Sequence, residues 1–156
     1  MKRTSLAPLL CLTLIAVAAL TTTLKAGSAS DAPDKAHLQK IWDGWSTLDP
    51  ANVARFYASG PHTFFDIAPL KYSSWDEYQK TVKTVLAAYQ SGKCTVNDDA
   101  ELHPAGKYTW GAATVTCAMM LKDGKTEEDT FRWTFVFEKQ RGKWLTVHEH
   151  VSEPVH

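Results

Sequence analysis

Several things are missing from this sequence, and each absence narrows what it can do. It has no run of like charges, no low-complexity tract and no internal repeat, so neither a disordered tail nor a repeat array is indicated. Its 17 Lys and Arg are matched by 17 Asp and Glu. A nucleic-acid binder needs a basic surplus, so nucleic acid is not an expected partner. No apolar run reaches the roughly 20 residues that a membrane-crossing helix needs. Cysteine is scarce, with three residues in the chain, and Cys11 lies inside an N-terminal apolar stretch.

That stretch is informative. "MKRTSLAPLLCLTLIAVAALTTTLKAGSAS" places Lys2 and Arg3 before an apolar run from Leu9 to Leu20, then small residues with Gly27 and Ala29. This is the layout of a secretory signal peptide. The expectation is a leader over residues 1–29, a single domain over residues 30–156, no stable membrane anchor, and a periplasmic or secreted location. Loss of Lys2, Arg3 and Lys25 with the leader leaves the domain mildly acidic. Cys94 and Cys117 then remain as an even pair, which in a secreted chain suggests a disulfide; two buried free thiols are the alternative.

Apolar residues first recur with helical spacing. "DAPDKAHLQKIWDGWSTLD" predicts a helix capped by Asp31, with Pro33 in its first turn and a stripe of Leu38, Ile41, Trp42 and Trp45. Asp49-Pro50 predicts a second, shorter helix with Val53, Phe56 and Tyr57 facing inward. "HTFFDIAP" reads as a short strand closed by Pro69. Ser74 with Glu77 forms a capping box for a third helix, whose stripe runs from Tyr78 to Tyr89 and which Gly92 should stop. The period then drops to two. "KCTVNDDAELH", "YTWGAATVTCAMML", "EEDTFRWTFVFEKQ" and "KWLTVHEHVSEP" read as strands, with turns near Ala105-Gly106, Asp123-Gly124 and Arg141-Gly142. Helices followed by hairpin-linked strands predict an α+β domain with an antiparallel meander in which Cys94 and Cys117 are cross-strand neighbours.

Neither face of the last two strands is plainly polar. Trp133, Phe135 and Phe137 share one face, and Arg132, Thr134 and Val136 the other. Helices can cover one face; a second copy is the simplest cover for the other, so a homodimer through Phe135, Phe137 and Trp144 is expected. A two-residue Arg141-Gly142 turn pairs Gln140 with Lys143, Val136 with Val147 and Thr134 with Glu149. Arg132 and Glu149 then become diagonal neighbours on the pocket face, and the histidines look outward. A three-residue turn would instead set Arg132 beside His150.

The order of elements, and above all "DGKTEEDTFRWTFVFEKQRGKWLTVHEHVS", resembles the nuclear-transport-factor-2-like superfamily in its SnoaL-like branch. The C-terminus is also similar to the association (hub) domain of calcium/calmodulin-dependent protein kinase, where a "GKW", a "VH" and a second His two residues on close the sheet. The resemblance covers about residues 34–154. It implies a cone-like curved antiparallel sheet wrapped around the N-terminal helices, an internal pocket, and dimers formed through the sheet. Relatives include ketosteroid isomerases, dehydratases and polyketide cyclases, as well as binding and assembly modules, so the fold leaves the function open.

Asp66, after two phenylalanines and shortly before Pro69, resembles the general-base aspartate of the isomerases; a turn-capping role is the alternative. The tyrosine donor that those enzymes carry on the first helix has no counterpart in "LQKIWDGWS", which disfavours steroid isomerisation. Around the pocket the sequence suggests Asp66, Arg132 and Glu149, with Trp42 or Trp45 as apolar wall, receiving a small acidic or apolar ligand. His148 and His150 would support the sheet end or the dimer, or line the pocket in the other register. A His-x-His zinc site needs a third ligand that neither His62 nor His103 supplies by spacing, so no metal or cofactor is expected. The leading reading is a secreted or periplasmic small-molecule-binding domain. The alternatives are an isomerase, dehydratase or cyclase using Asp66 as base, and a self-assembly domain.

Overall fold

Ala32 precedes Pro33 and is thereby pushed toward an extended backbone, so the first helix starts later than a cap at Asp31 would place it. The computed structural model describes residues 31–155, and the leader expected at 1–29 lies outside them. Helix α1 spans Lys35–Trp45 and is capped by Asp34, whose side chain accepts from the His37 N–H at 2.8 Å. Asp31, the expected cap, instead pairs its carboxylate with Lys139 and gives its carbonyl to Trp144 Nε1. The stripe Leu38, Ile41, Trp42 and Trp45 is buried as its spacing requires. Gly44 lets α1 approach the following segment closely: a Cβ there would sit 2.4 Å from Val53 Cγ1.

The segment expected as a second helix forms two 3₁₀ turns, Pro50–Asn52 and Ala54–Phe56. Helix α2, Trp75–Leu86, is opened by Ser74, which accepts from the Glu77 N–H, while Glu77 bonds back to Ser73 N. It stops well before Gly92. Tyr89 already belongs to a strand, and Gly92 lies inside that strand, where a Cβ would meet Met119 Sδ at 2.6 Å.

Six strands build one curved sheet: β1 (Phe64–Phe65), β2 (Tyr89–Val96), β3 (Glu101–Ala105), β4 (Tyr108–Leu121), β5 (Thr126–Gln140) and β6 (Lys143–Ser152). The order is β1-β6-β5-β4-β2, with β3 also on β4. The stretch read as one strand from Lys93 to His103 is two strands that share the edge of β4 in succession. Between them, Asp99 accepts from the N–H and hydroxyl of Thr114 at 3.0 and 2.7 Å, in place of the ladder. Cys94 pairs with Cys117 across β2 and β4, and the two are joined by a disulfide.

The Arg141-Gly142 turn has both φ angles positive, 50° and 80°, as a two-residue hairpin of the right twist demands, and Gln140 pairs with Lys143 as expected. The expected register does not survive beyond Thr146. Phe137 pairs with Thr146 but Val136 pairs with His148, so Val147 is the extra residue of a bulge. One extra residue exchanges the two faces of everything that follows. Glu149 therefore lies opposite Phe135, not Thr134, and Val151 opposite Trp133. Trp133, Phe135 and Phe137, at 1%, 1% and 0% exposure, form with Glu149 the inner face under the helices. Arg132, Thr134, Val136, His148 and His150 share the outer face. The aromatic surface proposed for a dimer is thus covered by the chain's own helices.

Candidate functional site

Between α1, α2 and the inner face of the sheet lies a cavity of about 410 Å³. Trp42 and Trp45 of α1, Val82 and Leu86 of α2, and Phe131 of β5 give it apolar walls, and the Cys94–Cys117 bridge with Met119 forms another side. This volume suits a small organic molecule.

The polar end is built on Glu149, which is only 1% exposed. Its Oε1 accepts from the Tyr57 hydroxyl at 2.8 Å and its Oε2 from Trp133 Nε1 at 2.9 Å. Tyr57 in turn accepts from Trp45 Nε1 at 3.2 Å. Every donor here is neutral, and among the described residues no lysine, arginine or histidine forms an ion pair with Glu149. Burial disfavours the carboxylate and pushes the Glu149 pKa up to about 7; the bonds from Tyr57 and Trp133 hold it down, and the charge of Asp66 adds to the rise.

Asp66 follows β1 and lines the same cavity. Its Oδ1 accepts from the Ile67 N–H at 2.8 Å and its Oδ2 from the Tyr78 hydroxyl at 3.1 Å. It thus combines the turn bond of a capping residue with the desolvated, cavity-facing position of a base. Burial raises its pKa, and the bonds from Ile67 and Tyr78 oppose the rise. Burial also lifts the Tyr57 and Tyr78 phenols well above their ordinary range, so both stay protonated donors at neutral pH. The arrangement supplies two carboxyls that can take or return a proton, each held by a phenol, at the end of an apolar chamber.

The structure brings together four of the residues singled out from the sequence: Trp42, Trp45, Asp66 and Glu149. It does not bring Arg132. That side chain lies on the outer face and its guanidinium donates to the Glu153 carbonyl, so the expected Arg132–Glu149 pair is absent; the bulge at Val147 is the reason. His148 and His150 also stay outside. His148 Nδ1 bonds the Thr63 carbonyl at 2.7 Å, and both rings flank Phe65. Among the described residues no three His, Cys, Asp or Glu side chains gather as metal ligands would. The residues missed were Tyr57 and Tyr78. Both read as inward-facing apolar positions, and nothing local links Tyr57 to Glu149, 92 residues away.

Residues 36–156 match the model of the SnoaL-like domain family, and the chain belongs to that family. A nuclear transport factor 2 (NTF2-like) superfamily protein from Salmonella enterica serovar Typhimurium superposes with a TM-score of 0.67 at 17% identity, over 78% of this chain and 92% of that one. A proposed calcium/calmodulin dependent protein kinase II association domain from Xanthomonas campestris gives 0.65 at 22% identity, over 82% and 93%. A proposed scytalone dehydratase from Novosphingobium aromaticivorans gives 0.67 at 8% identity, over 76% and 79%. At such identities the likeness establishes the fold and not an activity. No protein of curated function matches the chain significantly.

Proposed function

We propose that this SnoaL-like domain binds a small, mainly apolar molecule inside its cone and transfers a proton on it, with Glu149 and Asp66 as the acid–base pair. The observation that carries this reading is the pairing of two desolvated carboxyls on one apolar cavity, each with a tyrosine hydroxyl on an oxygen. A carboxyl that titrates near 7 is poised both to accept a proton from carbon and to return it. Tyr78, whose hydroxyl reaches Asp66, is the side-chain donor for an oxygen that gains charge as the C–H bond breaks. A shift or elimination beside a carbonyl or hydroxyl is the reaction class. The likeness to a proposed dehydratase supports it at the level of fold. The test is solvent-deuterium incorporation, read by NMR, into a panel of small cyclic ketones. The parent should exchange the proton next to the carbonyl, and Glu149→Gln should lose that exchange. Exchange at the parent's rate in both Glu149→Gln and Asp66→Asn would end the proposal.

Self-association is the second part of the reading, now through the outer face. Trp110 is 53% exposed there and Tyr108 38%, and Trp110 pairs with Val136, which in turn pairs with His148. The likeness to an association domain points the same way. Light scattering should find a dimer that Trp110→Glu converts to a folded monomer; a monomeric parent would refute it.

A periplasmic or secreted site of action, with residues 1–29 as leader, completes the proposal. It is supported by the Cys94–Cys117 disulfide, a bond that persists in oxidising compartments. No helix of the described residues is long and apolar enough to cross a membrane.

A further inference from the structure

The charge around the cavity is of one sign. Besides Asp66 and Glu149, the acidic residues Glu127, Asp129 and Glu153 line it, and among the described residues no lysine, arginine or histidine does. None of these five carboxylates forms an ion pair among the described residues; the pairs that exist lie elsewhere, as in Lys107 with Glu138 and Lys125 with Asp123. Glu127 has only a phenol as partner, the Tyr89 hydroxyl at 3.3 Å. Val85 and Leu86, the end of α2, also face the cavity. The other walls include the rings of Trp42, Trp45, Tyr78 and Phe131, whose faces are electron-rich.

Two sources of negative potential, the carboxylates and the aromatic faces, therefore meet on one apolar chamber. An anionic ligand would meet repulsion at the rim and no donor fork inside, since Arg132, the cation expected to receive it, stands on the outer face. A bare metal ion is poorly served, because the carboxylates are spread around the chamber and do not gather as ligands. An organic cation satisfies all the features together. Its ammonium gains from the carboxylates and from the aromatic faces, and its apolar body fills the chamber.

Resting on the reading that the cavity is the binding site, we propose that the ligand is an amphiphilic amine: a protonated or quaternary nitrogen on a compact apolar or aromatic body. The rim acids Glu127 and Asp129 steer the cation, and the desolvated carboxyls inside meet it.

The experiment is titration calorimetry on the disulfide-intact protein with three probes of similar size: 2-phenylethylamine, 2-phenylethanol and 3-phenylpropionate. The amine should bind about tenfold or more tightly than the alcohol, a margin that one well-placed desolvated cation contact supplies. The propionate should bind most weakly. The advantage of the amine should shrink at high salt and in a Glu127→Gln/Asp129→Asn variant, whose changes lie at the exposed rim and leave the core intact. Val82→Trp, which fills the chamber, should remove binding of both amine and alcohol, with near-UV circular dichroism confirming the fold. If the alcohol matches the amine and both are lost in Val82→Trp, the charge inference falls while the cavity reading stands. Tightest binding by the propionate overturns the inference in the same way. If no probe binds, or binding survives Val82→Trp, both fall.

Discussion

The Tyr57 hydroxyl lies 2.8 Å from Glu149 Oε1 across 92 residues of sequence, and the two join the segment after α1 to the polar end of the cavity. Tyr57 closes the 3₁₀ segment after α1, stacks on Trp75 at 4.2 Å between ring centroids, and donates to the buried carboxyl. Tyr57→Phe keeps the ring and removes the donor. Glu149 then loses one of its two strongest bonds and Trp45 Nε1 loses its acceptor. Leaving such groups unpaired costs about 1–3 kcal/mol, which urea denaturation should record. Because Tyr57 favours the carboxylate, its removal should also raise the Glu149 pKa further, visible in a carbon-detected NMR titration. An unmoved pKa would show that the bond does not govern this carboxyl.

Stability should fall as pH rises, the reverse of the usual behaviour of a paired carboxylate. An exposed Glu titrates at 4.5, whereas Glu149 in the fold titrates at about 7. Between those values the folded state keeps a proton that the unfolded state has released. The contribution of this group is complete below pH 4.5 and drains away as pH climbs through 7. Its size is about 3 kcal/mol by linkage, as an order of magnitude. The titratable groups around it are Tyr57, Tyr78 and Asp66. The phenols stay protonated across this range, and Asp66, also raised by burial, adds a slope of the same sign. Glu149→Gln should flatten the dependence of denaturation midpoint on pH between 5 and 8. Parallel curves for parent and variant would refute the linkage.

How far the sequence could be read depends on how local the determinants were. The stripe of Leu38, Ile41, Trp42 and Trp45, the Ser74 cap, the Arg141-Gly142 turn and the Cys94–Cys117 pairing are set by spacings within one element or one hairpin, and all were legible. The α+β architecture followed from the change of period. The site was legible only in part. Asp66 and Glu149 stood out as carboxyls among apolar residues. Their phenol partners did not, because Tyr57 and Tyr78 look like core residues until the sheet is folded over them. Arg132 was misplaced through one unpaired residue: no turn signal or glycine marks Val147 as a bulge, yet it exchanges the faces of the end of β6.

Reduction should weaken the fold without abolishing it. The Cys94–Cys117 bridge closes a loop with a sequence separation of 23 and ties β2 to β4 on the wall of the cavity. By the chain-entropy estimate such a loop is worth about 3 kcal/mol. A thermal melt in reductant should shift downward accordingly, and thiol titration of unfolded, unreduced protein should find neither residue free. Detection of both thiols, or an unchanged melt after verified reduction, would contradict the bridge. Since both cysteines are buried beside Met119 and the cavity, a Cys94→Ala/Cys117→Ala variant should stay folded but bind cavity probes less tightly.

The bulge at Val147 offers the most demanding test, because the register of β6 decides whether Glu149 faces the cavity. Val147 has no partner on β5, while its neighbours Thr146 and His148 pair with Phe137 and Val136. The bulge is also where the Tyr57 segment docks: Tyr57 bridges to Thr146, and the Ala58 N–H donates to the Thr146 carbonyl at 3.0 Å. Deleting Val147 removes only the extra residue. Thr146 can still pair with Phe137, His148 with Val136 and Glu149 with Phe135, so the carboxyl keeps its place and the loss should stay under about 1.5 kcal/mol. Deleting Val147 and His148 together sets Glu149 opposite Val136 on the outer face and turns His150 onto Phe135. A buried hydrogen-bonded carboxyl then leaves its partners and a polar ring enters the aromatic core, which costs about 3–5 kcal/mol. Chemical denaturation of the two variants beside the parent separates these expectations. A double-deletion variant as stable as the single one, with Glu149 still titrating near 7, would mean that the register of β6 is not what places the carboxyl in the cone.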